Sequence, residues 1–448
     1  MTAADNRRIA ALASDRAVHG AFRWLYLHSP QLLRWQMEML AIPAPPFQEA
    51  ERAQWFLAQF LNFHLHNPHV DTEGNVLAEL QAANSTDDSP VILISAHLDT
   101  VFPSGTDCTP HLDDPREQGE GIIHGPGACD NGAGLTALLA LAAALKHAEF
   151  TPATTILFCA NVGEEGPGDL RGMRHLFSDA SPYASRIRAA IALEGAGSSS
   201  VVDRALGSRR LRVEITGPGG HSWADAGLPN PINALAAALT ELTNLALPAS
   251  PRTTFNCGTI SGGTSVNSIP SSATSDLDLR STSTKELDNL EHLVLSTLSK
   301  CVKAEARRSR TRDGFRQRDA LRITVRRIGN RTAGHLAPDS ALAISLRAVD
   351  RHLSLKTESR IGSTDANHPL SLGIPALAIG AGGTGGGIHT PEEWYDPTGR
   401  ELALRRILLL LLDTCANYAK ESSASAKQSG DTMHSAISGS DDTLDSST

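Results

Sequence analysis

Four short apolar runs along the chain have the pattern of buried strands. They cover residues 91–96, 155–160, 189–193 and 375–379. None shows the apolar-polar alternation of a strand with one solvated face, which favours strands buried on both sides. Residues 134–147, between the first two runs of the set, follow a Gly-rich turn and are rich in Leu and Ala, which predicts a helix. Strands that alternate with helices indicate an α/β fold with a mostly parallel sheet.

Between the third and fourth runs the chain changes to a second pattern, from about residue 211 to 329. Four segments there predict strands, at 211–216, 253–259, 272–279 and 321–327. Two segments predict helices, at 230–247 and 285–307. The resulting order, β-α-β-β-α-β, is the ferredoxin-like arrangement, which closes on itself as a small domain.

The order of the two patterns predicts the domain organisation. Because a buried strand follows at 375–379, the ferredoxin-like segment (210–330) is expected to be inserted into the α/β domain (1–209 and 331–421). From residue 422 the chain is rich in Ser, Asp and Thr with few large apolar side chains, so residues 422–448 are predicted to form a disordered tail.

Composition narrows the classes of protein that fit. The 448 residues are 41% apolar and 20% charged, as in a globular protein with a sizeable core. A net charge of −9 argues against nucleic acid or an anionic membrane as partner. The longest apolar run, 407–412, is far shorter than the roughly 20 residues of a membrane span. The six cysteines form no C-x-x-C pair and residues 1–16 have no apolar signal-peptide core, so a reducing cytoplasm is the expected location.

Acidic residues and histidines stand at the points where the buried strands end. The set comprises His97 and Asp99 after the first strand, Glu164 and Glu165 after the second, Glu194 after the third, His389 beyond the fourth, and Asp130 before the predicted helix. In open α/β sheets, ligands bind beyond the carboxyl ends of the strands. These side chains are therefore expected to converge at one edge of the sheet.

Each member of this set also has an ordinary structural explanation. A His-x-Asp or Glu-Glu pair commonly lies in a solvated loop, and Asp130 suits the N-cap of the helix that follows it. Their coincidence at one edge is harder to explain in this way, because buried carboxylates repel one another unless cations compensate them. Imidazole and carboxylate ligands without thiolate suit zinc, with manganese or cobalt as alternatives.

Six segments, in order along the chain, resemble those of a known family. They are SAHLDTV (95–101), GPGACDNGAG (125–134), NVGEEGPGDLRG (161–172), LEGAG (193–197), GPGGHSWAD (217–225) and GGIHTPEEW (386–394). The chain resembles the M20 metallopeptidases and deacylases, with their carboxypeptidase, tripeptidase-like and acylase branches, up to about residue 420. The resemblance implies a hydrolase that cleaves a peptide or N-acyl amide bond in a small, carboxylate-bearing, peptide-like substrate.

The resemblance further implies two Zn²⁺ ions per chain and five residues that bind them. His97 and Glu194 would bind one ion, Glu165 and His389 would bind the other, and Asp130 would bridge both. The α/β domain would then be the catalytic domain, and the inserted domain would serve as a lid and as the interface of a homodimer.

Three more residues would take part in catalysis if the resemblance holds. Glu164 would be the general base that takes a proton from the attacking water. The carboxylate of Asp99 would orient the imidazole of His97. His221 would donate a hydrogen bond to the oxyanion, reaching the active site of the partner subunit from the lid.

Substrate contacts and the branch of the family depend on fewer residues. Asn267 and Arg280 match lid positions that hold a substrate carboxylate in similar enzymes, and an arginine fork suits that group. Glu at position 194 favours the carboxypeptidase and deacylase branches, whereas the segment 363–367 resembles the tripeptidase-like branch. Both interpretations stay open at the level of sequence.

Two other classes of protein compete with this interpretation. A serine hydrolase of the α/β type would carry its nucleophile in a Gly-x-Ser-x-Gly turn, and the sequence contains none. A catalytically inactive relative that only binds peptides or metabolites would be expected to have lost a ligand or the base, and each of those residues is present.

Overall fold

The computed structural model of the protein describes residues 3–113, 121–308 and 320–437. Its helices are α1 Ala3–Ala13, α2 Arg16–Leu27, α3 Ser29–Leu40, α4 Ala50–Asn62, α5 Gly132–His147, α6 Arg171–Leu176, α7 Pro231–Thr243, α8 Thr284–Arg308, α9 Ala341–His352, α10 Asn367–Ser371 and α11 Arg400–Ile437. Its strands are β1 His66–Val70, β2 Val76–Leu80, β3 Val91–His97, β4 His111–Leu112, β5 Ile123–His124, β6 Thr155–Asn161, β7 Ile187–Leu193, β8 Ser200–Ala205, β9 Gly207–Thr216, β10 Gly220–His221, β11 Thr253–Gly262, β12 Ser268–Ile269, β13 Ser272–Ser281, β14 Arg322–Arg331, β15 Gly334–His335, β16 Glu358–Gly362, β17 Ala376–Ile379, β18 Thr384–Gly386 and β19 Trp394–Asp396.

The largest sheet contains the strands predicted from the four apolar runs. Its order is β1-β2-β6-β3-β7-β17-β8-β15, with β16 paired to β8. The central strands β6, β3, β7 and β17 are parallel to one another. Every residue of β3 and β6 is buried, and α5 and α11 pack against β3. The continuous apolar pattern therefore reflects a sheet covered by helices.

The inserted domain has a sheet and a core of its own. Its antiparallel sheet has the order β11-β13-β9-β14, and α7 and α8 pack on it. Leu211, Val213 and Ile215 of β9 belong to a core cluster separate from that of the main domain. This arrangement confirms the predicted α/β fold with a ferredoxin-like insertion. The helix α7 ends at Thr243, four residues before the predicted end, because Asn244 is its C-cap residue.

Two neighbouring strands join the inserted domain to the main domain. The chain enters the insertion along β9 and leaves it along β14, and Ser208 of β9 pairs with Arg331 of β14. Both connections therefore lie side by side, and Arg331 stands at the point where the chain returns to the main sheet.

The last helix, α11, differs from what the composition of the chain predicts. Its apolar residues 407–412 are buried in the main core, and the helix continues to Ile437. Residues 422–437, which we predict to be disordered, thus have a helical backbone, because Ala, Lys and Gln in this segment favour helix once a buried helix precedes them. The rest of the predicted tail, 438–448, lies outside the described residues. None of the helices in the described part of the chain combines the length and apolar character that a bilayer span requires.

A buried ion pair ties α11 to α9, and its loss should destabilise the main domain. Arg406 donates from Nε to Asp350 Oδ1 (2.6 Å) and from Nη2 to Asp350 Oδ2 (2.9 Å), and Nη1 donates to the Ser198 carbonyl oxygen (3.0 Å). We expect Arg406→Met to lower the free energy of unfolding by about 3–5 kcal/mol, because Asp350 is left buried and unpaired. Urea denaturation followed by circular dichroism measures this change.

A matched control is the exposed pair between Arg360 and Glu358 in the same domain, with a separation of 3.4 Å. Arg360→Met should leave the unfolding midpoint almost unchanged, since exposed ion pairs contribute little. Equal midpoints for the two variants would show that the buried pair contributes no more than a surface pair.

Candidate metal centre

The carboxyl ends of three parallel strands and two neighbouring loops bring the five predicted ligands together. His97 is the last residue of β3, Glu165 lies beyond β6, and Glu194 directly follows β7. Asp130 precedes α5, and His389 lies in the loop between β18 and β19. These positions meet at one edge of the main sheet, where the sequence predicts a site.

The carboxylate of Asp130 lies between two imidazole-carboxylate pairs. Its Oδ1 is 3.0 Å from His97 Nε2, which is also 3.3 Å from Glu194 Oε1. Its Oδ2 is 3.1 Å from His389 Nε2, which is also 2.9 Å from Glu165 Oε1. One carboxylate thus faces two separate His-Glu pairs, one with each oxygen.

This geometry fits the binding of a metal ion. Single ligand atoms of His97, Asp130 and Glu165 all lie within 4.8 Å of one another. The Nδ1 atom of His97 lies 3.0 Å from the main-chain oxygen of Asp99, and a bond to that acceptor leaves Nε2 with the lone pair that a metal needs. Among the described residues, the buried Oε2 of Glu194 has no hydrogen-bond partner. A cation in each half of the site would also offset the charge of its carboxylates.

The ionisation of these side chains reflects the same crowding of charge. Burial raises the pKa of Glu194 to about 7, against the opposing effect of His97. Burial alone would raise the pKa of Asp130, but hydrogen bonds with His389 and His97 hold it well below its usual value. The hydrogen bond with Asp130 raises the pKa of His389 to about 9. Without metal, protonated imidazoles take the place of cations, so metal binding must release protons.

Asp99 is buried beside this cluster, and its carboxylate contacts the turn of the two glutamates as well as lying near His97. Its two oxygens accept hydrogen bonds from the main-chain N–H groups of Glu164 (3.0 Å) and Glu165 (2.7 Å). The imidazole Nδ1 of His97 is 3.6 Å from Asp99 Oδ1 and closer, at 3.0 Å, to the Asp99 main-chain oxygen. The main-chain oxygen of Asp99 is thus the nearer acceptor for His97, with the carboxylate beside it, and the carboxylate also fixes the turn that carries the two glutamates.

Glu393 supports the Asp130 loop, although the sequence predicted no role for it. Its fully buried carboxylate accepts hydrogen bonds from the main-chain N–H groups of Gly127 (3.2 Å), Cys129 (2.8 Å) and Asp130 (2.7 Å). Glu393 lies four residues after His389 in the same motif, and this was the only signal available in the sequence. It connects the loop of Asp130 to the loop of His389.

Arg331 is a second residue of the site for which the sequence predicted no role. Its Nη1 donates to Glu164 Oε1 (2.8 Å), and both side chains are buried. Burial raises the pKa of Glu164 well above its usual value, and the charge of Arg331 opposes that rise. A single arginine at the end of a predicted strand carries no motif, so only the fold reveals this pair.

The three lid residues do not contact the metal ligands in the described part of the chain. His221 is exposed, and its Nδ1 accepts from the N–H groups of Trp223 (3.1 Å) and Ala224 (3.2 Å). The side chain of Asn267 accepts from Ser265 Oγ (2.5 Å). Arg280 donates from Nε to Asp278 Oδ2 (2.7 Å). Within one chain, the structure thus leaves these three side chains apart from the cluster.

Comparison with known proteins relates this chain to a family of peptidases. The family model described as peptidase family M20/M25/M40 matches residues 93–413. A protein of Aspergillus clavatus named probable carboxypeptidase is 30% identical over 276 residues, 57% of this chain and 58% of that protein. A succinyl-diaminopimelate desuccinylase of Paracoccus denitrificans is 26% identical over 213 residues, 45% of this chain and 54% of that protein. The chain thus spans little more than half the length of these relatives.

Solved structures show the same fold. The aminopeptidase PepT of Bacillus cereus superposes with a TM-score of 0.64 at 20% identity, over 86% of this chain and 98% of that chain. The family match covers most of the chain and contains every ligand that the sheet edge brings together, from His97 to His389. The chain belongs to peptidase family M20/M25/M40.

Proposed function

We propose that this protein is a metal-dependent hydrolase with two zinc ions, which cleaves a peptide or N-acyl amide bond in a small, carboxylate-bearing substrate. The observation that carries the proposal is the position of Asp130, whose two oxygens face the separate pairs His97–Glu194 and His389–Glu165. A carboxylate placed between two such pairs is the arrangement that a two-metal hydrolase requires.

The residues around the cluster supply the other parts of a hydrolytic mechanism. Two cations at this site would polarise the scissile carbonyl and acidify the attacking water. Glu164 is buried beside Glu165, where its carboxylate can take the proton of that water and pass it to the leaving nitrogen. Asp99 holds the main-chain amides of both glutamates, so the base and the ligand keep a fixed separation.

The lid would complete the site from a second copy of the chain. We propose that His221 donates to the oxyanion of the partner subunit and that Asn267 and Arg280 bind the substrate carboxylate. Two features support this arrangement: His221 is exposed, and β11 forms the edge of the lid sheet with Ile260 59% exposed. An exposed edge strand favours pairing with another chain.

Glu194 and the names of the curated relatives both favour the carboxypeptidase or deacylase branch. The two names denote removal of a carboxy-terminal residue and removal of a succinyl group, and both reactions hydrolyse an amide. The likeness to an aminopeptidase structure at 20% identity concerns the fold alone. The substrates to screen are dipeptides, tripeptides and N-acylated amino acids, with zinc present.

Replacement of the general base should abolish turnover without loss of metal. We expect Glu164→Gln to lower kcat at least about a hundredfold, the usual contribution of a general base. Zinc content by elemental analysis and the circular dichroism spectrum should match those of the wild type. Glu165→Gln is the matched neighbour, and we expect it to lower zinc content as well as rate. Full activity in Glu164→Gln would remove this residue from the mechanism.

Removal of metal should stop the reaction, and two equivalents should restore it. Dialysis against a chelator is expected to give an inactive, folded protein, because the ligands lie on rigid strand ends. Titration with Zn²⁺ should return full activity near two ions per chain, measured as rate against metal content. Full activity at one ion per chain would contradict a dinuclear site.

Mixing of variants tests whether His221 acts across a dimer. We expect His221→Ala to lower kcat while zinc content stays unchanged, because the oxyanion loses a donor. If a lid histidine serves the partner, a mixture of His221→Ala and Glu164→Gln chains contains hybrid dimers with one intact site and recovers part of the rate.

The control mixture contains Glu164→Gln and Glu165→Gln chains. Both residues belong to the same site of each chain, so no hybrid dimer has an intact site and no recovery is expected. Equal rates from the two mixtures would place the action of His221 within its own chain.

A further inference from the structure

Glu164 is held at two points by one arginine, once at its carboxylate and once at its main-chain oxygen. Arg331 Nη1 donates to Glu164 Oε1 at 2.8 Å, and Arg331 Nη2 donates to the main-chain oxygen of Glu164. The arginine side chain is 5% exposed and the glutamate side chain 7% exposed. Contacts with both the side chain and the backbone of one residue fix its rotamer as well as its position.

The second oxygen of Glu164 stays available for proton transfer. Within the described residues, no hydrogen bond of another side chain or main-chain group engages Oε2. Arg331 itself keeps its proton in proteins, so it cannot replace Glu164 as the base. In this pair the arginine binds Oε1 of the Glu164 carboxylate, and Oε2 can face a water molecule.

Arg331 belongs to the strand by which the lid returns to the main domain. It is the last residue of β14, and the adjacent Asn330 N–H donates to Asp169 Oδ2 at 3.1 Å. From the neighbouring strand β9, Arg210 Nη1 donates to the Gly166 carbonyl oxygen at 2.9 Å. Both connecting strands of the lid thus contact the loop of residues 164–169, which carries the base.

Arg331 is fixed in turn by the main domain. Its Nη1 also donates to Ser363 Oγ at 3.0 Å, and its Nε lies 4.0 Å from Asp169 Oδ1. The guanidinium therefore lies between the base and the segment that follows β16. A change in the angle of the lid strands would move this group, and with it the carboxylate that it holds.

We propose that Arg331 is a positioning residue that orients the carboxylate of Glu164 for proton transfer and links that orientation to the connecting strands of the lid. This inference rests on the proposed function, in which Glu164 is the base. A residue that only anchored the lid would change kcat whether or not Glu164 carried a carboxylate. The proposed effect of Arg331 on kcat depends on the Glu164 carboxylate.

The test is a double-mutant cycle in kcat, with the dipeptide or N-acylated amino acid that the wild type hydrolyses fastest. We expect Arg331→Met to lower kcat about ten- to a hundredfold, as misplacement of a catalytic group does. KM should change less than about threefold and zinc content should stay at the wild-type value, because neither ligands nor substrate contacts are altered. In the Glu164→Gln background, Arg331→Met should cause no further loss.

Arg210→Met is the matched control. It removes a hydrogen bond between a lid strand and the same loop but leaves Glu164 untouched, so its kcat should be close to that of the wild type. Arg331→Lys keeps the positive charge without the planar fork, and we expect an intermediate kcat at unchanged KM. If Arg331→Met does not fold, the kcat of Arg331→Lys tests the inference instead.

Three results would overturn the inference. They are a wild-type kcat in Arg331→Met or Arg331→Lys, equal losses in Arg331→Met and Arg210→Met, and an undiminished effect of Arg331→Met in the Glu164→Gln background. An active Glu164→Gln protein would instead overturn the proposed function, so the two failures are distinguishable.

Discussion

The crowding of carboxylates at one buried sheet edge is the constraint on which this structure depends. Asp130, Glu164, Glu165 and Glu194 lie close together at this edge, where each is buried or half-buried, and like charges there repel strongly. The protein offsets this repulsion with the imidazoles of His97 and His389, with the guanidinium of Arg331 and with main-chain amides. Divalent cations bound by these residues would offset the same repulsion.

Two buried carboxylates outside the predicted ligand set hold the loops of the site in place. Asp99 and Glu393 are buried carboxylates that accept hydrogen bonds from the loops of Glu164–Glu165 and Asp130. Charge-assisted hydrogen bonds to main-chain N–H groups hold a loop more firmly than neutral ones. These five side chains consequently converge although they come from five different segments of the chain, and such rigidity suits a metal site.

The two connections of the inserted domain contact the segment that carries Glu164. The lid enters and leaves along β9 and β14, and residues at the base of both strands bind the loop after β6. Direct hydrogen bonds from Arg210 and Arg331 thus link the inserted domain to the segment that contains Glu164. The insertion of a separate fold between β8 and β15 places Arg331, the last residue of β14, next to Glu164.

The sequence by itself predicted the layers and the side chains that gather at one sheet edge. Unbroken apolar runs indicated the buried strands, and polar residues that follow parallel strands were expected to meet at one edge. The choice of His97, Asp130, Glu165, Glu194 and His389 as metal ligands came from the family resemblance. Only the tertiary structure decided which groups orient them. The main-chain oxygen of Asp99 lies closer to His97 Nδ1 than its carboxylate does, and Arg331 lies 167 positions from its partner Glu164. Such contacts depend on how two domains pack, and local patterns along a chain contain no information about side chains that meet across that distance.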